Sequence, residues 1–157
     1  MGMIAGMMTL DDLLNITQIF NIKIIFKKLD KEIFGLASGE KGLIILDDSL
    51  RFNQKKQKCV LAEEIGHLLI PPRPGHMVYY TTGYRNYDYH KRSTIRTTVA
   101  QDEFKALKWA ANILISDVEL NKLIKSNYGN ICELADYFGV EVWFMQLKLK
   151  LMECKAG

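Results

Sequence analysis

The residues of this 157-residue chain that are best suited to metal binding and catalysis are Glu63, Glu64 and His67, which lie in the string Glu-Glu-Ile-Gly-His. This string differs by one residue from His-Glu-x-x-His, the signature in which a helix holds zinc beside a general base. Residues four apart share one face of a helix, so positions 63 and 67 can present two ligands to one metal while Glu64 points toward a water molecule. The spacing favours metal-assisted hydrolysis with an altered ligand at position 63.

The sequence around this motif predicts a helix that begins after the N-cap Asn53 and ends before Pro71-Pro72. The same spacing also occurs on solvated helix faces, but here the acids interrupt an apolar run: Cys59, Val60, Leu61, Ile65, Leu68 and Leu69. Burying a carboxylate without a partner costs several kcal/mol or shifts it to its neutral form. Acids among core residues therefore indicate a nearby cation or strong hydrogen bonds.

The composition is that of an ordinary globular protein, and we expect a single domain over residues 1–157. Hydrophobic residues make up 48% of the chain and charged residues 25%, and the net charge of +3 is too small to indicate nucleic-acid binding by itself. Cys59, Cys132 and Cys154 have no paired close spacing, so we interpret them as reduced packing residues in a cytoplasmic protein.

The apolar segment Met1 to Met8 is too short to span a bilayer and lacks the basic region of a signal peptide. We expect residues 1–8 to be disordered. No later apolar run reaches about 18 residues, so the sequence predicts no membrane association.

The order of predicted elements indicates an α+β fold: a small β-sheet packed on the motif helix, followed by a helical C-terminal half. A first helix begins at the capping box of Thr9 and ends at Asn21, and a later one begins at Ser116. Three β runs, one long helix and a helix-turn-helix-like pair complete the prediction: Ile22 to Phe26, Ile33 to Leu36, Leu43 to Leu46, Ala100 to Ile113, and 129–153.

A basic, tyrosine-rich loop is predicted between Pro71 and Gln101, and it contains Arg92 and Arg96. Such a loop can be a substrate-binding lip, a nucleic-acid contact or a segment folded over the core. We assign Arg92 and Arg96 to substrate binding. The loop also carries His76 and His90, the remaining imidazoles of the chain, which we interpret as surface residues rather than metal ligands.

The helix-turn-helix-like pair places Gly139 at its turn, but its sequence does not favour direct DNA binding. The first turn of a recognition helix should offer polar or basic groups to base edges. This chain offers Glu141, Val142 and Trp143 there. We interpret the pair as packing on the core.

Three strings in order, at 59–68, 100–115 and 133–140, resemble the ImmA/IrrE family of metallo-endopeptidases, and the resemblance runs from about Leu10 to Met152. In that family the motif helix supplies two zinc ligands and the base, and a glutamate on the next helix supplies the third ligand. The resemblance implies that Glu64 is the general base and that Glu63, His67 and Glu103 hold the metal, with Glu63 standing where the fuller motif has histidine.

This resemblance also implies the cofactor and the partner. One divalent metal is expected, with zinc first and manganese or iron as alternatives, because two carboxylates and one imidazole form a harder ligand set than usual. Family members cleave or inactivate helix-turn-helix repressors of the phage or mobile element that encodes them. The expected function is cleavage of a repressor-like protein. The alternatives are a pseudo-peptidase that binds and antagonises its repressor, and a DNA-associated regulator.

Overall fold

The computed structural model describes residues 7–70 and 94–156, with side chains over 7–70 and 103–153, and its architecture is α+β as predicted. The helices are α1 (Leu10–Ile19), α2 (Gln54–Leu69), α3 (Thr94–Leu114), α4 (Asp117–Lys125), α5 (Ile131–Phe138) and α6 (Val142–Ala156). The strands are β1 (Lys23–Lys27), β2 (Gly35–Ser38) and β3 (Leu43–Asp47), and a 3₁₀ turn (Asp48–Phe52) leads into α2.

Side-chain caps fix the starts of three helices where the sequence predicts them. Thr9 and Asp12 form a reciprocal capping box at α1, with bonds of 2.8 and 3.1 Å. The Asn53 side chain accepts a 3.1 Å hydrogen bond from the backbone N–H of Lys56 at α2, and Ser116 caps α4 in the same way. Each cap satisfies a backbone donor that the first helical turn leaves without a partner.

The sheet has the strand order β1-β3-β2, and β2 lies at its edge against the motif helix α2. β2 and β3 form a hairpin, since β2 runs antiparallel to β3 with Gly35 opposite Leu46, whereas β1 runs parallel to β3. β2 begins two residues later than predicted. The chain is still turning at Glu32, whose φ is +71°, and the Ile33 N–H donates to the Asp30 carbonyl at 3.0 Å.

Helix α2 makes its most extensive contact with α3. α3 begins at Thr94 rather than near Ala100, so the predicted loop is shorter than expected and Arg96 belongs to this helix. The β-branched run Thr97-Thr98-Val99 has low helix propensity, and the sequence therefore does not predict this first part of α3. One stripe along α3 is buried: Glu103, Ala106, Leu107, Ala110 and Leu114.

The C-terminal helix pair packs on the core, as predicted. Gly139 ends α5 in the left-handed conformation with φ +65°, where a side chain would be strained. The buried Lys58 of α2 donates a 2.6 Å hydrogen bond to the Phe138 carbonyl at that helix end, and burial lowers the pKa of this lysine. The buried Lys148 of α6 donates to Asn112 of α3 at 2.9 Å, and it also bonds to Asp117. Two buried lysines thus join the pair to α2, α3 and α4.

The cysteine interpretation needs one correction. Cys59 is buried, and burial raises the pKa of its thiol to about 12, as suits a packing residue. Cys132 is exposed, because it lies on the solvent side of α5, and its role as a packing residue is wrong. The side chain of Cys154 lies outside the described residues.

The prediction that residues 1–8 are disordered is wrong for Met7 and Met8. Met7 forms an isolated antiparallel bridge with Ile115, and Met8 packs against the core. Residues 1–6 lie outside the described part of the chain. Within 7–70 and 94–156, no helix combines the length and the apolar composition needed to cross a bilayer.

Candidate metal centre

Helix α2 presents Glu63, Glu64 and His67 on the side that faces α3 and the sheet edge. Glu64 and His67 are buried, with 4% and 5% of their surface exposed, and Glu63 is partly buried. Position 103 of α3 brings a fourth group, because Glu103 lies on the buried stripe of that helix and is only 1% exposed. Three acids and one imidazole therefore meet in the interior between two helices.

Three of these residues lie close enough to share one ion. His67 Nε2 lies 3.1 Å from Glu103 Oε2 and 4.0 Å from Glu63 Oε1, and one donor atom from each residue lies within 4.8 Å of the others. Ligands of a tetrahedral zinc, each at about 2.1 Å, are about 3.4 Å apart. The spacing fits a metal after small side-chain movements.

Buried oxygens without partners support that fit. Among the described residues, Glu64 Oε2 and Glu103 Oε1 have no hydrogen-bond partner although both are fully shielded, and Glu103 Oε2 has His67 Nε2 as its neighbour at 3.1 Å. Glu63, Glu64 and Glu103 can carry three negative charges, whereas His67 can contribute one positive charge. Three buried carboxylates are stabilised by a nearby cation. Carboxylate oxygen together with imidazole nitrogen is a donor set that zinc, manganese and iron accept.

The cluster's own charge shifts the protonation of its members. Burial raises the pKa of Glu64 to about 8, with Glu63 and Glu103 adding to the rise and His67 opposing it. Burial lowers the pKa of His67, but contact with Glu103 and the charges of Glu64 and Glu63 outweigh it and raise that pKa to about 9. The field that holds a proton on His67 is also the field that attracts a divalent cation.

Two glycines, absent from the predicted site, allow the elements around it to approach closely. A Cβ at Gly66 would lie 2.8 Å from the Ala106 carbonyl oxygen, so this glycine lets α2 and α3 pack tightly enough to bring Glu103 to His67. A Cβ at Gly35 of β2 would lie 2.9 Å from Glu64 Oε1. A glycine inside a predicted helix was a signal for Gly66, since it weakens the helix unless packing requires it. Gly35 carries no such signal.

Other predicted residues stand apart from this cluster. Arg92, His76 and His90 lie outside the described residues. Arg96 lies in the first turns of α3, and its side chain is not among those described. Their assignments as substrate-binding residues (Arg92, Arg96) and surface histidines (His76, His90) stay predictions, as do the roles of Glu63, Glu64, His67 and Glu103.

Comparison with known proteins identifies the family. No curated protein was found to match the chain. The model of a peptidase family, M78, described as the IrrE N-terminal-like domain, matches residues 17–150. That range includes the whole of α2 and α3 and thus every residue of the cluster. The chain belongs to the ImmA/IrrE family of peptidases.

Proposed function

We propose that this protein is a metal-dependent endopeptidase that cleaves a helix-turn-helix repressor-like protein of a phage or mobile element. Glu63, His67 and Glu103 would hold the metal, and Glu64 would be the general base. The observation that carries the proposal is the convergence of a buried Glu63-His67-Glu103 group beside Glu64, whose Oε2 has no partner among the described residues. The family, a family of peptidases, supports the same assignment.

Glu64 suits the role of a base that takes and returns one proton. Its carboxylate lies on the next residue after a proposed ligand, and its buried Oε2 is available to accept a proton from an attacking water. A raised pKa also lets a carboxyl group give the proton back to the leaving amine near neutral pH. A divalent metal in the site would supply Lewis-acid chemistry, through activation of water and polarisation of the scissile carbonyl.

We propose zinc as the metal, with manganese and iron as alternatives. Two carboxylates and one imidazole suit all three ions, and zinc accepts oxygen ligands at about 2.0–2.2 Å. Two anionic ligands reduce Lewis acidity relative to a two-histidine set, so we expect slow turnover.

The repressor-like substrate is proposed from the resemblance to the ImmA/IrrE family. A repressor acts on DNA, so its cleavage would take place in the cytoplasm. Direct DNA binding by α6 has little support, because among its described side chains, 142–153, the exposed ones include one basic group: Val142, Gln146, Lys150 and Glu153.

Cleavage under metal control tests the proposal. The purified protein, stripped by a chelator and reloaded with zinc, is incubated with the repressor encoded beside its gene, and products are identified by mass spectrometry. We expect one bound zinc and cleavage that the chelator abolishes. Zinc-independent binding of the intact repressor would instead support the pseudo-peptidase alternative.

A further inference from the structure

The edge strand β2 approaches the proposed base through its first residue, Gly35. Gly35 is buried and lies opposite Leu46 in the hairpin. A Cβ built on it would lie 2.9 Å from both Cγ and Oε1 of Glu64, and 2.8 Å from Cγ1 of Val60. Separations below about 3.0 Å are essentially never found for real Cβ atoms. Any other residue at position 35 would therefore displace a neighbour.

Space, rather than backbone conformation, is what requires glycine at position 35. Gly42, Gly129 and Gly139 have positive φ angles, but Gly35 does not. Alanine could adopt the same strand conformation at little cost, since its backbone is favourable there. The effect of a substitution would therefore come from the two contacted side chains of α2.

The two contacted side chains differ in their freedom to move. Val60 is a β-branched residue within α2 and has one strongly preferred rotamer there, so its side chain can move little. The Glu64 carboxylate is buried on α2, so a push from β2 moves its oxygens inside the cluster. An error of about 1 Å in the position of a reacting group can reduce a rate about 100-fold.

We propose that Gly35 is a positioning residue for the peptidase reaction, which holds the Glu64 carboxylate in its reactive place by leaving no atom where a Cβ would be. This inference rests on the proposed function. The three atoms nearest to a Cβ at position 35 belong to Val60 and Glu64 and none to a proposed metal ligand, so the effect should fall on the base and spare the metal.

Gly35→Ala tests the proposal, with Gly39→Ala as the matched control. A Cβ at Gly39 would meet Leu68 at 3.8 Å, an ordinary contact, so this variant should behave like the wild type. For Gly35→Ala we expect zinc affinity within about threefold of wild type, KM with the repressor little changed, and kcat reduced about 100-fold. Crystal structures should show the Glu64 carboxylate displaced by about 1 Å, with the other three side chains in place.

The double variant Gly35→Ala with Val60→Ala separates the two contacts. It removes both methyl groups of Val60, including the contacting Cγ1, and leaves the collision with Glu64, so kcat should stay low. Recovery of kcat in the double variant, or wild-type kcat in Gly35→Ala, would overturn the proposal. Loss of folding in both variants would also overturn it, because the contact would then serve stability alone.

Failure of the proposed function would be seen separately. If the wild-type protein cleaves no repressor, the peptidase proposal falls, and the crystal structures still decide the role of Gly35. A Glu64 carboxylate within about 0.5 Å of its wild-type position in Gly35→Ala would contradict the inference. A displaced carboxylate beside unmoved metal-binding side chains would support it.

Discussion

Glu63 is the residue that separates this chain from the His-Glu-x-x-His signature, and its position is compatible with the proposed role as a metal ligand. Its Oε1 lies 4.0 Å from His67 Nε2, and the two residues share one face of α2. Glu63 is less buried than Glu103, so its charge is better solvated and its contribution to metal affinity should be the smaller of the two.

Exchanging Glu63 tests its role as a ligand. Glu63→His rebuilds a two-histidine set and replaces a hard oxygen by a borderline nitrogen, so it should tighten zinc binding. Glu63→Ala removes a donor and should weaken it. Equilibrium zinc titration of the three proteins should give the order His, Glu, Ala, from tightest to weakest. Equal affinities would remove Glu63 from the site and direct attention to His76 or His90.

The raised pKa of His67 predicts how zinc affinity depends on pH. With a pKa of about 9, this imidazole is protonated at neutral pH in the metal-free protein, and the proton must leave before Nε2 can bind zinc. Affinity should therefore rise with pH, by about tenfold for each unit between about pH 6 and pH 8, with proton release on binding. Zinc titrations at several pH values measure the slope. An affinity independent of pH over this range would contradict the assignment of His67.

At the scale of elements, the contact of α2 with α3 brings Glu103 to the motif helix. Gly66 faces the backbone of Ala106, and Glu103 lies about one turn earlier on the same helix. The site therefore depends on the distance between α2 and α3. This distance is short because the residues that meet, Gly66 and Ala106, are both small.

Gly66→Ala should separate these helices. Alanine gains about 1 kcal/mol in helix propensity, but overpacking against a backbone carbonyl costs about 1–3 kcal/mol, so we expect net destabilisation. Because Glu103 moves with α3, zinc affinity should fall by about tenfold or more. Urea unfolding and zinc titration measure the two effects, with Gly39→Ala as control. A folded variant with wild-type zinc affinity would show that the helix spacing does not set the site.

The predicted substrate contacts are Arg92, which precedes α3 in the sequence, and Arg96, which lies in the first turns of that helix. Replacing Arg92 and Arg96 by alanine should weaken repressor binding, because the charge of each would be lost from the binding lip, while the free energy of unfolding changes by no more than about 0.5 kcal/mol. Binding assays and thermal unfolding of the double variant measure both quantities. Intact binding with a large loss of stability would instead assign these arginines to the structure of the protein.

At the scale of the whole molecule, the features that the sequence predicts are those that depend on residues close together in the chain. Thr9, Asn53 and Ser116 cap helices where their side chains reach a donor a few residues away, and Gly139 ends α5 because the left-handed conformation suits glycine. The grouping of Glu63 with His67 also follows from helical spacing.

Contacts between distant parts of the chain could not be predicted in this way. The parallel pairing of β1 with β3 depends on the path of the chain between them, and Lys58 is buried because it reaches a carbonyl 80 residues later. The approach of Gly35 to Glu64 joins a strand edge to a helix face. The resemblance to a family, and not the spacing of residues, predicts that Glu103 belongs to the cluster. A carboxylate near the predicted start of a helix is otherwise explained by its favourable interaction with the helix dipole.

Glu64→Gln tests the central claim, a metal-dependent peptidase with Glu64 as its base, most directly. Glutamine keeps the size of the side chain but cannot accept the proton from water, and Glu64 is not among the proposed ligands. The measurement is cleavage of the repressor encoded beside the gene, by zinc-loaded wild type and by the zinc-loaded variant, each shown to bind one zinc. The account predicts equal zinc content and a loss of cleavage by orders of magnitude in the variant. Unchanged cleavage by Glu64→Gln would contradict it.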